Sequence, residues 1–144
     1  MEPIFVPIPE KSKMLMFGNI RGLVTTNSTY KMNLLKDLVN EKNCFLVCLT
    51  ESHLNQYISH SETDLVGWEQ VRSDRNKRIG GGVVCYVRDT IPITNSIVFS
   101  NSYCELVCFS MPSLNTVNIT IYRPPGCPSD KFEESIKVVR DWLR

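Results

Sequence analysis

A short run of wholly apolar residues, Cys-Phe-Leu-Val-Cys-Leu at positions 44–49, restricts the folds open to this chain. A strand with one face in water alternates apolar and polar side chains, whereas an unbroken apolar run is typical of a strand covered on both faces. The run is far shorter than the roughly 18 residues that a transmembrane helix needs. We therefore expect it to be a central strand in the core of a soluble domain.

The residues before this run predict a strand-helix-strand unit. Residues 14–20 form a predicted strand, residues 25–29 are a polar link that offers several N-cap residues, and a helix is predicted to begin near Tyr30. Asn43 marks its end. The apolar residues of this helix recur at helical spacing, at Met32, Leu35, Leu38 and Val39. A helical crossover of this kind makes the strands before and after it parallel.

Two strand pairs are predicted after a polar stretch at residues 52–64. Residues 67–72 and 82–88 form one predicted hairpin around a charged loop. Residues 104–111 and 117–122 form the second pair, separated by a turn-rich segment that contains proline and asparagine.

The two ends of the chain differ in predicted structure. A helix is predicted to begin at Ser129 or Asp130, with one apolar face made by Phe132, Ile136, Val139 and Leu143. Residues 1–13 are proline-rich, which suits an extended arm rather than a packed element, because each proline removes a backbone donor. We therefore expect the domain at residues 14–144 and assign it to the α/β class with a mixed sheet.

Composition and charge exclude several function classes. Sixteen Lys and Arg residues against fifteen Asp and Glu residues give a net charge of +1, so no overall field attracts nucleic acid or anionic lipid. Any polyanion must be bound locally. The N-terminus lacks the pattern of a secretory signal, and we expect an intracellular protein, nuclear or cytoplasmic. The six cysteines include no Cys-x-x-Cys pair and are interpreted as buried small apolar residues.

Asn19 and Glu51 follow the two strands that are predicted to be parallel. The carboxyl ends of parallel strands meet at one edge of the sheet, where ligands of open α/β sheets bind. Carboxylate and amide oxygens are ligands for Mg²⁺, together with water and phosphate oxygens. A merely solvated Glu at a strand end is the alternative interpretation. His53 and His60 follow Glu51 and are interpreted as mobile surface histidines rather than metal ligands.

Tyr122 lies at another strand end, before Arg123 and two prolines that cannot donate to a β-ladder. A phenol there can donate to a phosphate oxygen, and Arg123 adds positive charge. The alternative is a core tyrosine whose hydroxyl reaches water.

A basic loop connects the strands of the first predicted hairpin. Its cations are candidates for contacts with nucleic-acid phosphates: Arg72, Arg75, Lys77 and Arg78. A solvated hairpin tip is the alternative. The three glycines at 80–82 lack the context and the Gly-Lys-Ser/Thr ending of a nucleotide P-loop, and indicate a bulge or a close backbone approach.

Five motifs, taken in order, resemble the endonuclease domain of LINE-type, non-LTR retrotransposons. They are Gly18-Asn-Ile-Arg-Gly-Leu, Leu49-Thr-Glu-Ser-His-Leu, Arg72-Ser-Asp-Arg with Gly80-Gly-Gly-Val-Val-Cys-Tyr-Val, Cys104-Glu-Leu-Val, and Ile121-Tyr-Arg-Pro-Pro. That domain belongs to the endonuclease/exonuclease/phosphatase superfamily, which has the DNase I-like fold. Each motif is weak alone, but their order and family-like spacing from about Met14 to Arg144 make them jointly specific.

The resemblance implies a metal-dependent phosphodiesterase built as a four-layer α/β sandwich, with two mixed sheets back to back and helices on the outer faces. Asn19 looks like the family's first-motif Asn, which helps to hold metal and phosphate, and Glu51 looks like its metal-binding Glu. Tyr122 is similar to the Tyr that contacts the scissile phosphate. The implied cofactor is Mg²⁺ or Mn²⁺, and the implied partner is DNA, with no membrane partner.

The chain departs from the family pattern in its second half. The Gly-Asp-Phe-Asn and Ser-Asp-His motifs of the family have no match, and neither histidine takes the place of the catalytic His. We therefore expect the N-terminal half of an endonuclease domain, weak or inactive alone. Two alternatives remain: a non-catalytic nucleic-acid- or protein-binding remnant, and a phosphatase of the same superfamily. Half a sandwich is also expected to expose one inner sheet face, with Val107, Phe109 and Ile119 or their alternating neighbours, and to favour association through it.

Overall fold

A computed structural model describes residues 3–7, 13–24, 30–75 and 79–144. The helices and strands in chain order are β1 (Ile4–Pro7), β2 (Met14–Asn19), α1 (Tyr30–Glu41), β3 (Cys44–Thr50), β4 (Trp68–Ser73), β5 (Val83–Arg88), β6 (Thr94–Ser100), β7 (Glu105–Met111), β8 (Thr116–Tyr122) and α2 (Ser129–Trp142). Short 3-10 turns lie at His60–Thr63 and Pro112–Leu114. Neither described α-helix is long and apolar enough to cross a membrane.

The described strands form two sheets. The first has five strands in the order β1-β2-β3-β5-β4, and the second has three in the order β6-β7-β8. Only β2 and β3 are parallel, and α1 connects them, so the parallel pair arises from the predicted crossover. The remaining pairs are antiparallel. The prediction of an α/β fold with a mixed sheet is confirmed.

Three clusters of buried side chains define four layers. On the outside of the five-stranded sheet, α1 packs Leu35 and Val39 against the strands. The inner faces of the two sheets meet in a second cluster that includes Phe45 and Phe109. On the far side, α2 packs Val139 against the three-stranded sheet. The layer order is helix, sheet, sheet, helix, which is the sandwich that the resemblance implies.

The central position of β3 explains its unbroken apolar run. Residues 44–49 are all buried, and the strand lies between β2 and β5. Val47 and Leu49 face the α1 cluster, whereas Leu46 and Cys48 face the other sheet. Both faces of this strand are therefore covered, as its sequence predicts.

The N-terminal segment differs from the expected extended arm. Ile4–Pro7 is an edge strand that pairs antiparallel with β2, with Ile4 opposite Phe17 and Pro7 opposite Met14. Proline is compatible with this place because an edge strand has a side without ladder bonds. The interpretation of residues 1–13 as an arm without packed structure is wrong for these four residues.

The expected exposure of an inner sheet face is also wrong for Val107 and Phe109, which are fully buried. Their strand lies in the second sheet, which packs over β4 and β5. The edge strand of this sheet, β6, was not predicted, because its residues are exposed or half-buried. Ile119 is 39% exposed, but on the outer face, because its neighbours Asn118 and Thr120 point between the sheets.

The second sheet is narrower than the first. No described strand pairs with the free edge of β8, and β8 packs over β3 and β5, so β1 and β2 extend beyond it. We call the inner face of these two strands the ledge, which consists of Ile4, Val6, Leu15 and Phe17. Ile4 is 52% exposed and Phe17 is 37% exposed. A cavity of about 940 Å³ lies between the ledge and β8.

Candidate functional site

Two predicted site residues from different sheets are in contact. The hydroxyl of Tyr122, at the end of β8, donates a hydrogen bond to Glu51 Oε1, just after β3, at 3.0 Å. Both side chains are half-buried. The contact joins the two sheets at one end of the molecule and places a phenol beside a carboxylate.

The side chain of Glu51 reaches this contact because the backbone leaves strand geometry. Thr50 lines the cavity between the sheets, so in a regular strand the next residue would face α1. Glu51 instead has φ of +52°, in the left-handed region that residues other than glycine rarely adopt. This conformation costs on the order of 1 kcal/mol, and it turns the carboxylate towards Tyr122.

Backbone hydrogen bonds hold this strained segment, residues 51–53, from both sides. Gly22 donates to the carbonyl oxygen of Glu51 at 2.8 Å, and His53 donates to that of Gly81 at 2.9 Å. The hydrogen bonding of the sheet thus continues beyond the ends of β2 and β3. It fixes the position of the carboxylate relative to the strand ends.

Asn19 lies at the end of the neighbouring strand. In the parallel register it pairs with Thr50, the residue before Glu51, and both members of that pair line the cavity between the sheets. Its side-chain oxygen accepts a hydrogen bond from the backbone N–H of Arg21 at 3.1 Å, which orients the amide. The structure therefore places Asn19 and Glu51 at the ends of adjacent strands, one residue apart in register.

The oxygens at these strand ends fit a hydrated Mg²⁺ ion, which usually takes one or two carboxylates and several waters. Glu51 Oε1 accepts from Tyr122, and Oε2 has no hydrogen-bond partner among the described residues. Within the described ranges, no group of three or more His, Cys, Asp or Glu side chains could hold a metal ion. The donor set is thus unlike that of a zinc centre, which takes three or four side chains.

Tyr122 is a hydrogen-bond donor at neutral pH. Burial raises its pKa above the usual value of 10, and the hydrogen bond and negative charge of Glu51 raise it further. The guanidinium of Arg75, 6.0 Å from the centre of the tyrosine ring, acts in the opposite direction. The phenol therefore stays protonated and can donate to an anion that displaces Glu51.

Arg75 was predicted to contact phosphate, and the structure corrects this. Its side chain is 8% exposed, and Nε donates to Oε2 of the fully buried Glu105 at 3.0 Å. The backbone N–H of Gly82 donates to the other carboxylate oxygen at 2.6 Å. Burial raises the pKa of Glu105, whereas the hydrogen bonds from Arg75 and Gly82 lower it. A Cβ at position 81 would lie 2.3 Å from the guanidinium carbon, so Gly81 makes room for Arg75.

Arg72 is corrected in the same way. It is 8% exposed, its Nε donates to both carboxylate oxygens of Asp74 at 3.1 Å, and its Nη2 donates to the carbonyl oxygen of Ile58 at 2.6 Å. Both arginines hold loops together. They were predicted to contact phosphate because Ile58 and Glu105, which pair with them, are distant in the chain.

The other predicted phosphate-binding residues have different positions. Lys77 and Arg78 lie outside the described residues. Arg123 is exposed beside Tyr122, with its guanidinium 4.4 Å from the centre of the Phe132 ring and Nη2 donating to the carbonyl oxygen of Cys127 at 3.3 Å. Of the described residues that were predicted to contact phosphate, Arg123 is the one whose side chain is exposed near the site.

His53 was interpreted as a mobile surface histidine, whereas the structure places its ring between Gly22 and Gly80. A Cβ at Gly22 would lie 3.2 Å from Nδ1, and a Cβ at Gly80 would lie 3.8 Å from Nε2. Neither ring nitrogen has a hydrogen-bond partner among the described residues, and the backbone has φ of +54°. The glycines were the available signal, because they make room on either side of the ring. His60 is exposed in a 3-10 turn.

No protein-family model matches the chain, and no curated protein matches its sequence. Among solved structures, it is similar to the crystal structure of an AP endonuclease from Leishmania major, with a TM-score of 0.51 and 14% sequence identity. The match covers 76% of this chain and 39% of that one, so the chain spans about two fifths of that protein's length. At this identity the likeness shows the fold alone. The chain has the α/β sandwich architecture of the DNase I-like fold.

Proposed function

We propose that this chain is the N-terminal half of a Mg²⁺- or Mn²⁺-dependent DNA endonuclease domain of the non-LTR retrotransposon type. Glu51, Asn19 and Tyr122 are the proposed residues of its phosphodiester-cleaving site. The observation that carries the proposal is the 3.0 Å hydrogen bond between the Tyr122 hydroxyl and the Glu51 carboxylate across the two sheets. The similarity to a protein described as an AP endonuclease supports nuclease chemistry on this fold.

Each proposed role follows from the chemistry of the side chain. Glu51 and the amide oxygen of Asn19 would hold the divalent ion, which supplies Lewis-acid stabilisation of charge on the phosphate. Tyr122 keeps its proton and would donate it in a hydrogen bond to a phosphate oxygen instead of to Glu51. The Glu51 carboxylate would then be free to hold the divalent ion. Arg123 is exposed at the adjacent position and would contact a flanking phosphate.

The rest of the domain is proposed to add strands to the free edge of β8 in the three-stranded sheet, so that they cover the ledge. The ledge is two strands wide, and no described strand pairs with the free edge of β8. The chain also spans only 39% of the similar endonuclease. The Gly-Asp-Phe-Asn and Ser-Asp-His motifs that the resemblance implies have no match in the sequence. For this reason we expect the chain to cleave DNA slowly or not at all when it is alone.

Metal binding tests the site without requiring turnover. Titration with Mn²⁺, followed by its electron paramagnetic resonance signal, is expected to show weak binding that Glu51→Gln reduces at least tenfold. Glu69→Gln is the matched control, because Glu69 is an exposed acid on β4 at a distance from the strand ends. Equal binding by Glu51→Gln and the unmodified chain would contradict the proposed metal site.

Nicking of supercoiled plasmid in Mg²⁺ tests the activity itself. We expect little or no nicking by this chain. Robust nicking that Glu51→Gln abolishes would support the assigned site but contradict the expected loss of activity.

A non-catalytic DNA-binding remnant is the second candidate, and the solvent exposure of Arg123 next to Tyr122 favours it. Its signature would be salt-sensitive DNA binding that Arg123→Glu weakens and Glu51→Gln leaves unchanged, without Mn²⁺ binding.

A further inference from the structure

Two cysteines are in contact near the end of the sandwich that carries the candidate site. The Sγ atoms of Cys104, just before β7, and Cys127, in the loop between β8 and α2, are 3.5 Å apart. A disulfide bond is about 2.05 Å long, so the two sulfurs lie roughly 1.5 Å from bonding distance. Cys104 is fully buried, and Cys127 is 8% exposed. The pair therefore has one member at the margin of the surface.

Local hydrogen bonds hold both cysteine backbones in place. The N–H of Cys104 donates to Asn101 Oδ1 at 2.8 Å, and the N–H of Cys127 donates to the carbonyl oxygen of Pro124 at 3.2 Å. From α2, the fully buried hydroxyl of Ser135 faces Cys104 and has no hydrogen-bond partner of ordinary geometry among the described residues. The two thiols thus face each other between β7, this loop and α2.

A second cysteine pair provides an internal contrast. Cys48 and Cys85 are directly opposite each other on β3 and β5. Directly opposite residues of antiparallel strands have Cβ atoms about 4.5–5.5 Å apart, which is longer than the roughly 3.8 Å of a disulfide. Donation to other groups does not separate the two pairs, because Cys48 donates to Asn118 Oδ1 at 3.3 Å, Cys85 to the Thr120 hydroxyl at 3.6 Å, and Cys127 to the carbonyl oxygen of Pro128 at 3.4 Å. This pair is structural, and it lies closed between the two sheets.

We propose that Cys104 and Cys127 form a reversible disulfide with a low-molecular-weight disulfide such as oxidised glutathione as the oxidant. Cys127 gives its proton to solvent, and its thiolate attacks one sulfur of the oxidant, which breaks the S–S bond of the oxidant and releases one glutathione thiolate. Cys104 then gives its proton to solvent and attacks the Cys127 sulfur of the mixed disulfide. The second glutathione leaves, so two protein thiols are oxidised while one glutathione disulfide is reduced to two thiols.

The attack of Cys104 on the mixed disulfide sets the rate at which the protein disulfide forms. Burial above all, with the neighbouring Cys127 thiol and the charge of Glu105, raises the pKa of Cys104 to about 11, and the Ser135 hydroxyl acts in the opposite direction. Little thiolate forms at neutral pH, so oxidation is slow there and accelerates as the pH rises. The 3.5 Å contact offsets this small thiolate fraction, because the attacking sulfur of Cys104 already lies beside the sulfur of Cys127.

The bond would join parts of the fold that support the candidate site. It closes a loop over residues 104–127, which contains β7, β8 and Tyr122 and ends beside the start of α2. A cross-link of this loop length is expected to raise the melting temperature by roughly 5–10 °C, because it restricts the unfolded chain.

The test is incubation of the whole chain with oxidised glutathione at mildly alkaline pH, followed by alkylation of free thiols and peptide mass mapping. We expect a Cys104–Cys127 linkage, alkylation of the remaining cysteines, and a higher melting temperature that a thiol reductant reverses. Cys127→Ser should abolish the linkage and the shift, whereas the matched variant Cys85→Ser should keep both.

Three outcomes would overturn the proposal: a Cys48–Cys85 linkage, a mixed disulfide on Cys127 that persists without the protein cross-link, or six alkylated cysteines after prolonged exposure. Peptide mapping of the unmodified chain shows whether the Cys104–Cys127 disulfide forms, even if a serine variant fails to fold.

Discussion

The space between the two sheets is closed over one half of the five-stranded sheet and open over the other. On the closed side, Val83 and Cys85 of β5 face Val107 and Phe109 of β7, and all four are fully buried. On the open side, the ledge presents side chains such as Phe17, which is 37% exposed. Because both halves carry apolar residues, the width of the covering sheet decides which half is buried.

The candidate site lies at the border between these halves. β8 is the edge strand of the covering sheet, and its Tyr122 meets Glu51 where β3 ends. In the closed half, the buried Glu105 has its charge balanced by Arg75. At the border, Glu51 keeps one oxygen without a described partner. The same side-chain chemistry is therefore structural in one place and available to a ligand in the other.

The difference between the closed and the open half predicts its largest effect on stability when a phenylalanine is truncated to alanine. Phe109→Ala should lower the free energy of unfolding by about 3–5 kcal/mol, because it leaves a cavity in close-packed surroundings. Phe17→Ala, on the ledge, should cost about 1 kcal/mol or less, since water already contacts its ring. Urea denaturation of both variants measures the difference. Equal losses would mean that the ledge is covered in solution.

Breaking the buried ion pair should have the next largest effect. Arg75→Met should cost about 3 kcal/mol at neutral pH, because it leaves the carboxylate of Glu105 buried without a cation. The raised pKa of Glu105 makes the folded state the better proton binder, so its contribution to stability is largest below the usual pKa of 4.5 and is lost as the pH rises. Arg75→Met removes an interaction that lowers the pKa of Glu105, so the variant binds the proton more readily and the cost of the substitution should shrink towards pH 4.5. As a control, adding Glu105→Leu to Arg75→Met should restore stability at neutral pH. A loss of stability in Arg75→Met that does not change with pH would contradict this explanation.

A smaller effect is expected at the border. Glu51→Gln should change the free energy of unfolding by about 1 kcal/mol or less, since the hydrogen bond to Tyr122 is half-buried. It should also lower the pKa of Tyr122, because the carboxylate is one cause of the raised value. Ultraviolet difference titration against Tyr122→Phe isolates this phenol. An unchanged phenol titration in Glu51→Gln would show that the two groups do not interact in solution.

On the ledge surface, substitutions are expected to change dye binding more than stability. Ile4→Ser combined with Phe17→Ser should reduce the fluorescence of a dye that binds exposed apolar surface, with a stability change of about 1 kcal/mol or less. Val66→Ser is the matched control, because Val66 is 99% exposed and lies away from the ledge. Equal dye binding by all variants would show that the ledge is not an accessible apolar surface.

Local pattern predicted much of the fold. The crossover from β2 through α1 to β3, both predicted hairpins and α2 occur close to the expected positions. The edge strands β1 and β6 were missed because their residues do not show the burial pattern of a central strand. For the site, the strand-end positions of Asn19 and Glu51 followed from topology. The hydrogen bond from Tyr122 did not, because it depends on how two sheets stack.

The apolar segments, the turns and the strands joined by a helix could be predicted from the sequence, because these properties depend on residues close in the chain. Which charges are structural and which are available depends on the packing of the two sheets. The partner of Arg75 is 30 residues away, and that of Tyr122 is 71 residues away. Burial and pKa depend on neighbours in space, and only the packing of the two sheets brings those neighbours together.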